Sequence, residues 1–151
     1  MPFRHTPPVF LQKGYTCWAY ALASFKSASL NETYWPEDIL RNYQQYCLRD
    51  GSLDPFQWDL VANEEKMRYK FIFGSQIEKG SIRNALEGYY IFAVEDKGGN
   101  WSHSYMIYGV AGYYDPYLAI MDPQKGLSWR YFTDISQSNL MLAGYWRDGF
   151  W

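Results

Sequence analysis

The stretch Gln12-Lys-Gly-Tyr-Thr-Cys17-Trp18-Ala19-Tyr20-Ala21 decides the reading of this chain. It passes from a polar, glycine-containing loop into a run of small and apolar residues. A helix is predicted over residues 17–29, with Trp18, Leu22, Phe25 and Ser29 along one face. Cys17 then falls in the first turn, where backbone N–H groups lack intrahelical partners and the helix dipole favours negative charge. That environment suits a thiol acting as a nucleophile. Thr16 stands where an N-cap is expected. Gln12, five residues before the cysteine, can offer a side-chain N–H beside the Cys17 backbone N–H, the donor pair that an oxyanion requires.

A nucleophilic cysteine needs a base, and the chain has two histidines. His5 lies in a proline-rich terminus that is poorly suited to holding a group in place. His103 opens Ser102-His103-Ser-Tyr-Met-Ile-Tyr-Gly109-Val110, which reads as a β-strand. The next apolar run, Tyr117-Leu-Ala-Ile-Met-Asp122-Pro123, reads as a short buried strand that the proline ends. Asp122 at that point can accept from one imidazole nitrogen and leave the other facing the sulfur. Asp54-Pro55 and Asp115-Pro116 are the same dipeptide. Only the place of Asp122, one strand after His103, separates it from them, and Asp115 is the fallback.

The order Gln12, Cys17-Trp18-Ala19 on a helix, His103 opening a strand and Asp122-Pro123 closing the next one resembles the papain-like cysteine peptidases. Two compact bacterial groups are most similar. One comprises the peptidase domains that trim double-glycine leaders from bacteriocin precursors. The other comprises the cysteine protease effectors injected by plant-pathogenic bacteria. The Cys17-Trp18 pair is similar to the effectors and to papain, whereas the leader peptidases usually carry Cys-Gly. The likeness spans about residues 10–147. It implies an α+β fold, an N-terminal helical half packed on a C-terminal antiparallel sheet, with the site between the halves. It further implies Cys17 as nucleophile, His103 as base, Asp122 as orienter and Gln12 as oxyanion donor. The implied activity is hydrolysis of a peptide bond after glycine in a cytosolic target protein, with a protein or peptide as substrate. The implied settings are a toxin or effector domain of a larger secreted bacterial protein, with an immunity protein as partner, or a leader peptidase.

Two other function classes stay open. Acyl transferases or deamidases of the transglutaminase type, and cell-wall amidases, use Cys-His sites as well. A non-catalytic peptide-binding module of the same fold is the third reading, against which the intact Cys, His and Asp argue.

Composition bounds the rest. A chain of 151 residues that is 48% hydrophobic and 20% charged reads as one globular domain with a real core. A net charge of −2 argues against nucleic-acid and anionic-membrane partners. No apolar run reaches the span of a membrane helix, and the proline-rich start lacks the apolar region of a signal peptide. Cys17 and Cys47 are expected as free thiols, since pairing them would consume the nucleophile, and a reducing cytoplasm is the expected working compartment. No cofactor is expected, and no metal, because the short-spaced ligand pairs of structural zinc sites are missing. Aromatic residues make up 21% of the chain, more than a small core can centre, so a share is expected at half-buried binding edges. Trp18, Trp101 and the tyrosines around His103 are expected to narrow the site to a slot that admits glycine.

Pattern and turn residues place the other elements. Residues 1–11 read as an irregular arm. Helices are expected over 36–46, from Asp54-Pro55 to about Asn63, and over 81–88. Strands are expected over 66–73, 89–94, 103–110, 117–121, 127–132 and 140–146. Turns are expected at Gly98-Gly99-Asn100, Asp115-Pro116 and 124–126.

Overall fold

A computed structural model describes residues 5–54, 57–73, 77–97 and 102–146. Helix α1 spans Cys17–Leu30 and ends at Asn31, whose φ of 55° is the left-handed conformation that asparagine tolerates at a helix end. Every side chain from Trp18 to Phe25 is buried, so α1 is enclosed on all sides rather than along one stripe. The small residues Ala19, Ala21 and Ala23 let neighbouring elements approach it closely. Helix α2 spans Pro36–Asn42, opened by a proline in its first turn. The helix expected to run to residue 46 stops at Asn42. Tyr43 leaves helical geometry to bury its ring, and Gln44–Tyr46 continues as a single 3-10 turn. Helix α3 (Trp58–Glu64) begins later than expected, and Pro55 lies outside the described residues.

The rest of the chain builds one sheet. Strands β1 (Arg68–Ile72), β2 (Ile91–Asp96), β3 (Ser102–Ala111), β4 (Tyr117–Asp122), β5 (Gly126–Tyr131) and β6 (Leu140–Gly144) lie in the order β1-β6-β2-β3-β4-β5. All of their pairings are antiparallel. Helix α4 (Lys79–Gly88) precedes β2. A short helix α5 (Phe132–Ser136) follows β5, where only the end of a strand was expected. Five residues are too few to display a helical period, which is why α5 leaves no trace in the pattern.

Alternation along the strands sorts the core into two layers. Phe92, Val94, Met106, Tyr108, Ala119 and Met121 face α1. Ile91, Ala93, Tyr105, Ile107, Leu118 and Ile120 pack with Ile82 and Leu86 of α4 and Ile135 of α5. Helices thus cover both sides of the central strands, and the helices-then-sheet arrangement of an α+β fold holds.

The described part of the N-terminal arm, residues 5–11, has no regular structure, but it is tied down. Tyr90 Oη donates to the His5 carbonyl at 3.0 Å, Ser24 Oγ donates to the Pro8 carbonyl at 2.6 Å, and the Gln12 N–H donates to the Pro123 carbonyl at 2.8 Å. The arm reaches the end of β4 in this way and delivers Gln12 there. The turn expected at residues 98–100 lies outside the described residues.

Candidate active site

Cys17 is the first residue of α1. Thr16 does not cap the helix. Its hydroxyl donates backwards to the Lys13 carbonyl at 2.5 Å, so the helical N–H groups at this end receive no side-chain cap. The Ala19 and Tyr20 N–H groups bond the Thr16 carbonyl, while the Cys17 N–H is left without a side-chain cap.

His103 is the second residue of β3 and Asp122 the last of β4. One step beyond the Met106–Met121 pair, Asp122 falls opposite Tyr105. His103, two residues earlier on the same face, is then its diagonal neighbour. The Nε2–H of His103 donates to Asp122 Oδ1 at 2.8 Å, and both side chains are buried. The Cys17 side chain lies close enough to the imidazole for its hydrogen bonding and charge to raise the group. With Nε2 committed to Asp122, the nitrogen left for the sulfur is Nδ1.

The turn after β4 fixes the carboxylate. The Lys125 N–H bonds to the Asp122 carbonyl at 3.0 Å, closing a β-turn with Pro123 at its second position. The Gln124 N–H donates to the same Asp122 Oδ1 at 2.8 Å. Gly126 completes the reversal at φ +83°, a conformation that a side chain would strain. Asp115, the fallback, accepts from Thr133 Oγ1 at 3.2 Å instead and takes no part.

The charges of the pair follow from these contacts. Burial pulls the imidazole of His103 down, but the hydrogen bonds and charges of Asp122 and Cys17 outweigh it and raise the group to about 9. Burial pushes the carboxyl of Asp122 up. His103 and the Gln124 N–H outweigh it, and the group lies below its ordinary range.

Gln12 reaches the same cleft but is not idle in it. Its Nε2 donates to the Gly14 carbonyl at 2.8 Å, and its Oε1 is buried without a partner. One amide hydrogen therefore holds the side chain against its own loop, and the second is uncommitted.

A cleft of about 620 Å³ surrounds Cys17 and His103. Ser102, Ser104 and Gln124 line it beside the histidine. The opposite wall is the loop from Leu48 to Leu53, with Tyr15, Trp18 and Trp58. The Trp18 indole N–H donates to the Gly51 carbonyl at 2.9 Å, which joins that wall to the residue after the cysteine. The expected slot is therefore built differently. Tyr105 and Tyr108 are buried in the core rather than walling the cleft, and Trp101 lies outside the described residues. Sequence reasoning missed the Leu48–Leu53 wall. Its only local signal is Gly51, at φ +90°.

Cys47 is half-buried, with its thiol directed at the Tyr43 carbonyl, and both cysteines are free thiols. Among the described residues no cluster of three or more His, Cys, Asp or Glu side chains could hold a metal ion. No helix among them is long and apolar enough to cross a membrane.

No protein-family model and no curated protein sequence matches the chain. Solved structures do. The peptidase domain of Streptococcus ComA, a bi-functional ABC transporter involved in quorum sensing, superposes with a TM-score of 0.66 at 17% identity. The match covers 95% of this chain and 100% of that one. A double-glycine motif protease from an AMS/PCAT transporter, in complex with its leader peptide, superposes with a TM-score of 0.62 at 19% identity, covering 95% of each chain. The fold of this chain is accordingly the papain-like cysteine peptidase fold, in the form taken by the peptidase domains of double-glycine transporters.

Proposed function

We propose that this chain is a cysteine endopeptidase that cleaves after glycine in an extended peptide segment. The observation that carries the reading is the placement of His103 between two partners, Asp122 on Nε2 and Cys17 at the head of a buried helix. In that arrangement Cys17 Sγ attacks the scissile carbonyl carbon and its proton resides on His103. The carbonyl oxygen, now an anion, is met by the Cys17 backbone N–H and the uncommitted amide hydrogen of Gln12. His103, raised to about 9, holds its proton at neutral pH and gives it to the leaving amine as the C–N bond breaks. A water molecule then gives a proton to the imidazole, attacks the thioester and releases the acid and the free thiol. Asp122 keeps the ring oriented through both steps.

Glycine at the acyl position fits a cleft whose walls carry Trp18, Trp58 and Tyr15 close to Cys17. The double-glycine motif and leader peptide of the second structural neighbour support a substrate of this kind. The two free thiols suit work in a reducing compartment. An effector or toxin role with an immunity partner is part of the proposal by analogy with other small papain-like domains, and the Cys17-Trp18 pair is similar to the effector group.

The test is terminal proteomics on a bacterial lysate treated with the wild type or with Cys17→Ala. New N-termini preceded by glycine, produced by the wild type alone, are expected. Incorporation of a donor amine at glutamine without new termini would replace hydrolysis with acyl transfer.

A further inference from the structure

The two walls of the cleft differ in charge. Among the described side chains that line it, Asp50 is the one carboxylate, carried on the Leu48–Leu53 loop. We propose that Asp50 is a specificity-determining residue that selects a Lys or Arg side chain on the acyl side of the scissile bond. The proposal rests on the peptidase reading above.

Three observations carry it. The carboxylate is held in place. Asp50 Oδ1 accepts from the Ser52 N–H at 2.9 Å and from Ser52 Oγ at 2.5 Å, which leaves Oδ2 for a further partner. These bonds also keep the carboxyl below its ordinary range. No cation answers it. Among the described residues no ion pair includes Asp50, and its chain neighbour Arg49 forms none with it. Finally, the loop is fixed relative to the nucleophile. Leu48 and Ser52 bond across its neck at 2.8 Å, Cys47 and Leu53 form a β-bridge, and Gly51 takes the Trp18 indole.

Direction follows from the chemistry. His103 protonates the leaving amine, so the leaving-group side of the peptide runs past His103, Ser104 and Gln124. The acyl side runs the other way, past Trp18 onto the wall that carries Asp50. A basic side chain there meets the one carboxylate among the described lining residues, and an acidic one meets like charge.

The experiment uses internally quenched peptides with glycine at the scissile position. Each of the next four upstream positions is varied in turn among Lys, Gln and Glu. The wild type is expected to prefer Lys over Glu at one upstream position, and the preference is expected to shrink in high salt. Asp50→Asn is expected to lower kcat/KM for the Lys peptide by about two- to fivefold, through KM, and to change the Gln peptide less, so that the Lys-to-Gln ratio falls. Asp50→Lys is expected to invert the preference to Glu. Binding of the same peptides to Cys17→Ala, read by fluorescence polarisation, is expected to show the same charge dependence. Cleavage without a charge preference, or a preference that Asp50→Lys leaves intact, overturns the role of Asp50 alone. Charge-dependent binding without cleavage by the wild type upholds Asp50 and overturns the peptidase reading. Neither cleavage nor binding of any peptide overturns both.

Discussion

His103 Nε2 and Asp122 Oδ1 lie 2.8 Å apart, joined across the ends of two neighbouring strands. The bond sets a pH dependence. His103 must carry a proton to release the leaving amine, and its group titrates at about 9. The alkaline limb of kcat/KM is expected near that pH. Asp122→Asn removes the carboxylate that raises the imidazole and leaves Cys17 alone against burial, so the limb is expected to move to lower pH. An amide still orients the ring, so the loss of rate is expected to be smaller than in Asp122→Ala. A limb that stays in place would detach His103 from the proton transfer. Stability follows with the same sign. Because the folded group lies above the ordinary 6.5, its contribution is full below pH 6.5 and is lost as the pH rises through about 9. Thermal melts across that window are expected to show the decline in the wild type and a flatter profile in Asp122→Ala.

Cys17→Ala is expected to abolish turnover and leave the fold unchanged. The thiol is only partly buried, and its removal takes little packing from the head of α1. Circular dichroism and melting temperature check the fold. Peptide turnover above background in a clean preparation would exclude Cys17 as the nucleophile.

Gln12 acts on the transition state if it donates to the oxyanion, so Gln12→Ala is expected to lower kcat by about 10²–10³ with little change in KM. Its present bond to the Gly14 carbonyl holds one hydrogen, and its Oε1 is buried without a partner. An effect confined to KM would instead assign Gln12 to substrate binding.

Beneath the site lies a buried charge pair that the catalytic reading does not use. Glu95 is 1% exposed and pairs in register with His103 across β2 and β3. Arg130 donates to both of its carboxylate oxygens, at 2.5 and 3.1 Å, and Ser138 Oγ donates at 3.0 Å. Arg130 also lies over the Tyr105 ring at 5.6 Å, and that ring lies against His103. Burial pushes the Glu95 carboxyl up, but Arg130, with Lys97 and Ser138, offsets this and holds it below its ordinary value. Glu95→Ala leaves a half-buried guanidinium without its carboxylate and is expected to cost about 1–3 kcal/mol in denaturant unfolding. Because the folded carboxyl is depressed, the pair's contribution is present above the ordinary value of 4.5 and is lost as the pH falls through the folded one. A neutral effect would mean that the pair is solvated.

What could be read from the chain, and what could not, divides by range. The head of α1 was legible because a local run, Thr16-Cys17-Trp18-Ala19, carries both a helix start and a thiol. His103 and Asp122 were legible because consecutive strands that pair antiparallel bring the start of one to the end of the next. The choice of Asp122 over Asp115 needed that register as well, since both precede proline. The partner of the Thr16 hydroxyl was not legible, because Lys13 competes with the helix for it over the same short reach. The second wall of the cleft was hidden for a different reason. Its position depends on the contact between Trp18 and Gly51, residues far apart in sequence with no shared period.

That contact yields the last prediction. Gly51 sits at φ +90°, which side chains rarely adopt, and a Cβ there would lie 3.2 Å from the Thr16 Cγ2 methyl. Gly51→Ala therefore meets strain and crowding together. The strain alone is expected to cost about 1–2 kcal/mol. Where the loop, rather than the Thr16 methyl, gives way, the Gly51 carbonyl moves away from the Trp18 indole. Trp18 directly follows Cys17, so the displaced wall is expected to raise KM for peptide substrates more than it lowers kcat. Trp18→Phe removes the same hydrogen bond without touching the backbone. Steady-state kinetics on both variants checks the idea. A KM increase in Gly51→Ala that Trp18→Phe shares in part places the wall in substrate binding. Unchanged kinetics in a measurably destabilised Gly51→Ala would leave the loop a purely structural part of the fold.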